Sequence, residues 1–419
     1  MVVLPAHGFG GAEDLPIPFG TALIGASWAL TISFAVLALA WTEPRLVAPR
    51  GPAEPPPRRR WLQGLGAALT AWFLVALYAG PSDGTNGGVG ALYVWVWVGL
   101  VPLALIFGHV WRDLSPWRTV QEVVGRLTGR PEGYLAWPAR LGYWPAALGL
   151  FAYVWLELAS PDSGAVGPVR WWVAAYVAAT VAGGVVFGPT WFDRADPFDV
   201  YSAVVARLSP FVEDGRFKLH HPLMSLTRVP VAPGLVAVLA VLLGSTAFDS
   251  FSGMPEWQRV DAGPVLQTAV LALFCVVAGT LFSLAAVATG GVSAERRRAL
   301  PGEYAHTVVP IVVGYIVAHY ATYLIETGQE TLLLMLDPLG RGWHALGGFE
   351  PVYWLTDHPA LLASVKVIAV LVGHVVAVLS AHDRALALLP KAHRLSGQLG
   401  MLFVMIAFTF TGLYLLFTG

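Results

Sequence analysis

His306, His319 and Glu326 lie within AHTVVPIVVGYIVAHYATYLIET, residues 305–327, a run apolar and long enough to cross a bilayer. A charged side chain at the centre of a span costs about 2.5–3.5 kcal/mol on insertion scales, so each ionisable residue there is a functional candidate. Other apolar runs add Asp249, Lys366, His374 and the pair His382–Asp383. Histidine with carboxylates is the donor set for zinc and related divalent metals, and one open coordination position brings the pKa of bound water toward neutrality. The candidate metal ligands are His319, His374, His306, His382 and Asp383. Glu326 and Asp249 are candidates to orient water, and Lys366 to stabilise a developing oxyanion. The same groups could relay protons or pass a metal ion along a pathway, and imidazoles on facing helices could ligate haem. The chain contains no HExxH, P-loop or CxxCH motif.

The elements that must position these residues follow from composition. Of 419 residues, 56% are hydrophobic and 12% charged, about half the charge fraction a soluble surface of this size requires. The 17 Trp residues cluster at the ends of apolar runs, as in an interfacial belt. The expectation is an all-α polytopic helix bundle forming a single integral membrane domain over 1–419. About ten spans are expected, at 19–41, 62–80, 91–111, 142–159, 169–189, 231–251, 265–289, 304–326, 360–382 and 396–418. All but four of the 25 Lys and Arg residues fall in alternate connections; the exceptions are Arg170, Arg259, Arg341 and Lys366. By the positive-inside rule those connections are cytoplasmic and both termini extracytoplasmic. This is the pattern of a multi-pass protein of a plasma membrane. Its partners would be the lipid bilayer and a small-molecule substrate or ion, with no nucleic acid; oligomeric state is not legible. The N-terminus lacks the features of a cleaved signal peptide, and the lone Cys275 suits packing better than metal binding.

Two connections are longer than turns. The cytoplasmic segment 190–230 contains FDVYSAVVARLSPF, expected to lie in the membrane interface. Its Asp193, Asp196 and Asp199, three apart around Pro197, read as a solvated helix start rather than a cation site. The extracytoplasmic loop 327–359 is rich in Gly and aromatic residues and long enough to form a lid.

At about 1.5 Å per residue, His109, His306 and His382–Asp383 fall toward the cytoplasmic ends of their spans. His319, Lys366, Glu157, Asp249 and Glu326 fall in the outer half, with His374 between the two layers. His319, Tyr323 and Glu326, at i, i+4 and i+7, share a helix face that His306 does not. Two structural readings compete with the functional ones. Lys366 could pair with Glu157 or Glu326 to hold helices in register, and His382–Asp383–Arg384 could be an interfacial helix end. His7 and Asp14 could fold over the outer face.

Five stretches together resemble a known family: HGFGGAEDLPIP, GSTAFDSFSG at 244–253, AHTVVPIVVGYIVAHY at 305–320, DPLGRGW at 337–343 and GHVVAVLSAHDRALAL at 373–388. It is the family of bacterial multi-pass membrane proteins, common in actinobacteria, known as fenitrothion hydrolases. The resemblance extends from the N-terminus to the last span. It implies a membrane-embedded hydrolase of organophosphate triesters, cleaving a P–O–aryl bond with activated water. The matched positions carried over are His306, His319, His374, His382, Asp383, Asp249 and His7. A transporter or metal-handling protein is the alternative from a different class.

Overall fold

The computed structural model describes residues 11–46, 58–213, 216–343 and 347–418. His7 lies outside them. Twelve helices organise the chain: α1 Phe19–Ala40, α2 Arg60–Ala79, α3 Gly87–Val98 plus Leu100–Phe107, α4 Pro116–Thr128, α5 Trp144–Leu158 and α6 Val166–Phe187. There follow α7 Pro197–Ala206, α8 Leu235–Ser252, α9 Pro264–Val287, α10 Ala294–Leu336, α11 Pro359–Leu388 and α12 Leu399–Thr418. The strands among the described residues are one two-residue pair, with Val212 opposite Phe217.

Among the described residues, eight helices are long and apolar enough to cross a membrane, and the two halves of α3, bent by 42°, make up to nine. The chain is therefore a helical, multi-pass membrane protein. Each of the ten expected spans coincides with a helix, but α5 has only 15 residues, below the roughly 17 a perpendicular span needs. Proline starts several of these helices at the first turn, where its missing N–H leaves no bond unmade: α4, α7, α9 and α11 all begin this way. Ser115 and Asp196 cap α4 and α7 by accepting backbone N–H bonds, and Ser293 does the same for α10.

By their internal contacts the helices fall into two compact units. The first comprises Pro52–His220 with Thr322–Trp354, and the second His7–Gly51, His221–Ala321 and Leu355–Gly419. In the second, α8 packs on α9, and α1 packs on α11 and α12. Close approach there depends on missing side chains. A Cβ on Gly244 would lie 2.4 Å from Cys275 Cα, which accounts for that cysteine's buried, packing role. A Cβ on Gly314 would come within 2.5 Å of Ala369 O, and one on Gly373 within 2.7 Å of Pro310 O. These two glycines let α10 and α11 touch backbone to backbone, as small residues do in membrane bundles. Gly373→Ala should cost about 1–3 kcal/mol because the obstructing atom is a carbonyl that cannot rotate away. Thermal unfolding in mild detergent checks this, and an unchanged midpoint contradicts the close crossing.

Two irregularities in α10 bear on the site. Residues Ala305–Val308 form a 3₁₀ turn just before Pro310, whose ring would clash with the carbonyl four residues earlier in a regular helix. Residues Tyr323–Thr327 form a π turn. Counting i, i+4 and i+7 along 3.6 residues per turn does not carry through a π turn, so the expected stripe His319–Tyr323–Glu326 is broken at its outer end.

Beyond it α10 continues to Leu336, which turns the first third of the expected 327–359 loop into helix. In the DPLGRGW stretch, Asp337 accepts backbone N–H bonds from Arg341, Gly342 and Trp343, with Gly340 and Gly342 at φ +63° and +77°.

Candidate functional site

The second unit gathers a buried polar chain between α8 and α10. Asp249 Oδ2 accepts from the Tyr320 hydroxyl at 2.7 Å and lies 2.9 Å from His319 Nε2. Ser250 Oγ lies 3.3 Å from His319 Nδ1. The proton assignment follows from the partners. An ionised carboxylate only accepts, so His319 carries its proton on Nε2 and offers the Nδ1 lone pair to the Ser250 hydroxyl. All four side chains are over nine-tenths buried. Tyr315, one turn before His319, donates to Gly412 O at 2.7 Å, so the single Ser250 proton has two acceptors in reach, His319 Nδ1 and the Tyr315 oxygen.

A hydroxyl on one imidazole nitrogen and a carboxylate on the other is the constellation of nucleophile, base and orienting acid, recognised by geometry and not by chain order. Here the hydroxyl meets Nδ1 and the carboxylate Nε2. Adjacent residues on one helix, 249 and 250, supply both ends, because the ring of His319 bridges the roughly 100° between their side chains.

The remaining candidates sit in separate settings. His374 donates from Nδ1 to Val370 O at 2.8 Å, on its own helix. His382 faces Gln398 Oε1 at 2.9 Å and Trp41 O at 2.8 Å. Asp383 accepts from Trp41 Nε1 and from the backbone N–H groups of Arg45 and Leu46. That pair fastens the segment after α1 onto α11, while Arg384 pairs with Glu303. His306 is buried in the 3₁₀ turn. Lys366 is buried near the Phe417 ring, with Asp14 as an electrostatic partner. The turn holding Asp14 packs on α11, as the notion of a folded-over N-terminal segment required. Glu326 is buried in the π turn, within the first unit. Among the described residues, no three His, Cys, Asp or Glu side chains converge as a metal site.

The first unit holds a second polar cluster. Arg118 forks onto Asp199, Nε to Oδ2 at 2.7 Å and Nη2 to Oδ1 at 2.9 Å, and also meets Asp193 at 2.5 Å. His109 Nε2 lies 2.8 Å from Asp199 Oδ1. Asp196 caps α7 and accepts from the Tyr176 hydroxyl at 3.1 Å. The three aspartates do mark a helix start, but Asp196 and Asp199 are fully buried and α7 is buried along most of its length. The segment expected in the interface is thus a packed element of the first unit. Its solvated reading failed because Arg118 neutralises it from 81 residues away.

Burial, then the neighbouring Asp199 charge, pushes the Asp196 carboxyl up to about 7. Burial works against ionised Asp199 too, but the Arg118 guanidinium and His109 hold it well below the usual carboxylate range. The two groups give opposite pH dependences. An unfolded Asp196 releases its proton near pH 4 and the folded one only near 7, so this group's stabilisation falls as pH rises between them. Asp199 contributes stability above about pH 4 that is lost as pH falls below it. Asp196→Asn keeps the cap and should flatten the decline in unfolding midpoint between pH 4 and 7. Identical slopes for the two proteins would contradict the assignment.

No family model, curated protein or solved structure matches the chain. Ser250, Tyr320 and Arg118 escaped sequence reading for related reasons. Ser250 follows Asp249 directly, a visible adjacency in AFDSFSG, but its role depends on a helix 69 residues away. Tyr320 was passed over because face counting from His319 selects i+4 and i+7, not i+1.

Proposed function

We propose that the chain is a membrane-embedded hydrolase of apolar phosphotriesters, with Ser250 as nucleophile, His319 as general base and Asp249 as the group orienting the imidazole. The hydrogen-bonded sequence Ser250–His319–Asp249 supports this reading most directly. The Ser250 oxygen attacks phosphorus as its proton passes to His319 Nδ1. The P–O–aryl bond breaks, and the departing aryloxide takes that proton to leave as a phenol. Water activated by the same nitrogen then cleaves the phosphoserine ester and restores the hydroxyl. Tyr320 donates to the same Asp249 oxygen, Oδ2, that faces the ring. The stretches that resemble the fenitrothion hydrolase family include both 244–253 and 305–320, which carry these residues.

The test is hydrolysis of an aryl dialkyl phosphate by protein purified in mild detergent, with metal content measured on the same sample. Covalent labelling by a fluorophosphonate should map to Ser250. Turnover that survives Ser250→Ala sinks the reading. A second reading, transport of protons or metal ions, is favoured by the spread of buried imidazoles along the second unit, His306 and His319 being about 20 Å apart on α10. Flux into proteoliposomes without hydrolysis supports it. In either case the positively charged connections are proposed to face the cytoplasm of a bacterial cell.

A further inference from the structure

The second unit contains a cavity of about 350 Å³ between α8, α9, α10, α11 and α12, within the size range of small-ligand pockets. Along α9, Leu273, Val277 and Leu281 line it at four-residue intervals and are also exposed, so it reaches the apolar perimeter that a bilayer covers. Ala247 lines it from α8 and Tyr315 from α10. Residues three or four apart share a helix face, so one further turn leads from Ala247 to Ser250 and from Tyr315 to His319. The cavity and the Ser250–His319 pair are thus neighbours along the same two helices. Tyr315 stands between them. Its ring lines the cavity, while its hydroxyl donates to Gly412 O and is hydrogen-bonded with Ser250. The ring is seated on Gly412, where a Cβ would lie 2.6 Å from Tyr315 Cε2. Ser250 is only 3% exposed, so a substrate reaches it after a neighbour moves. A side chain that borders a void lacks packing partners on that side, and Tyr315 is such a neighbour.

We infer that the cavity takes the apolar aryl arm of the triester directly from the bilayer, and that the arm turns Tyr315 aside to expose Ser250; this rests on the hydrolase reading. The walls suit such an arm, being mostly aliphatic and aromatic. The two hydroxyls that line the cavity do not make it a water site: Tyr315 already donates to Gly412 O, and Thr411 lies at the exposed edge. Turning Tyr315 has a second effect. Of the two acceptors for the Ser250 proton, His319 Nδ1 remains, so entry of the arm also readies the nucleophile. Tyr315 is then a gate that opens for a molecule arriving sideways, and a closed gate keeps water from Ser250. A lipid tail fits the same walls and is the competing occupant that the experiment distinguishes.

The probe is a diethyl aryl phosphate whose ring carries a photoreactive trifluoromethyldiazirine. It is bound to full-length Ser250→Ala in nanodiscs, which holds the triester without turnover, and labelled residues are mapped by mass spectrometry after illumination. Label should fall on Ala247 and Ile311, which line the cavity from α8 and α10, and excess diethyl phenyl phosphate should reduce it at least about tenfold. Ala278→Phe and Ala407→Phe fill the cavity from α9 and α12, away from the helices that bear Ser250 and His319, and each should abolish the label. The gate is read separately, with Ser250 intact. Tyr315→Phe loses the bond to Gly412 O and the competing acceptor, and should speed fluorophosphonate labelling of Ser250 about tenfold. Hydrolysis by the native protein without displaceable label in the cavity overturns this inference and leaves the hydrolase reading standing. Displaceable label without hydrolysis upholds the cavity as a triester site and sinks the hydrolase reading. Label that excess triester does not displace marks a lipid-like occupant and overturns the inference, as does label that survives both filling variants. Ser250 labelling that Tyr315→Phe slows or leaves unchanged overturns the gate.

Discussion

Ser250→Ala should lower phosphotriester turnover by about 10³-fold or more while the protein keeps its fold. The substitution removes one oxygen and leaves the His319–Asp249–Tyr320 bonds in place. His319→Gln should cost a similar factor, since glutamine fills much of the space but cannot accept and return a proton. The diagnostic result is the double variant. Residues that act as one unit are non-additive, so Ser250→Ala/His319→Gln should be no slower than either single change. Losses that multiply would mean the two side chains act separately, and the triad assignment would be wrong. Initial rates of aryloxide release, measured alongside circular dichroism, decide it.

Arg118→Met should destabilise the first unit by about 3–5 kcal/mol, because it takes the forked guanidinium from the fully buried carboxylate of Asp199 and leaves it His109 alone of the two cations that hold it. For a unit of this size that is a fall of roughly 6–20 °C in unfolding midpoint. Arg118→Met/Asp199→Leu should recover most of the loss, since well-packed apolar residues often replace a buried ion pair at little cost. Asp193 then matters little, being half exposed and able to turn to solvent. A double variant as unstable as the single would mean that Arg118 contributes through its packing over the Phe192 ring instead. Differential scanning fluorimetry on both proteins separates the two cases.

Helices were legible because membrane spans are written in composition and length: each apolar run of about 20 residues lies where a helix was found. What composition does not encode is where a helix stops being regular. The π turn at Tyr323–Thr327 and the continuation of α10 to Leu336 follow from packing within the first unit, where Gly328 faces the Trp95 and Val94 side chains. Half of the candidate site was legible. Asp249 and His319 stood out as ionisable groups at similar depth, and they do meet. Depth alone also grouped His306 with His382 and Asp383 and set His374 between the layers, but their partners are set by rotation about the helix axis and by neighbours on distant segments. Depth is read from a position number, whereas azimuth requires the neighbouring helix. A serine, a tyrosine or an arginine in a loop carries no burial penalty conspicuous in sequence, so Ser250, Tyr320 and Arg118 went unremarked.

The fastening of residues 41–46 to Asp383 has a consequence in time. The carboxylate that holds Trp41 and Arg45 is 342 and 338 residues further along the chain. The principal helix partners of α1, namely α11 and α12, are also made long after it. At about 5–20 residues per second, the first helix waits roughly 17–70 s in the bilayer before its docking surface exists. During that interval it must rely on its own apolar length, which its mean hydropathy of 2.0 supplies. The segment Trp41–Leu46 can close only once Asp383 has been made, so its protection from proteolysis reports the docking of α11.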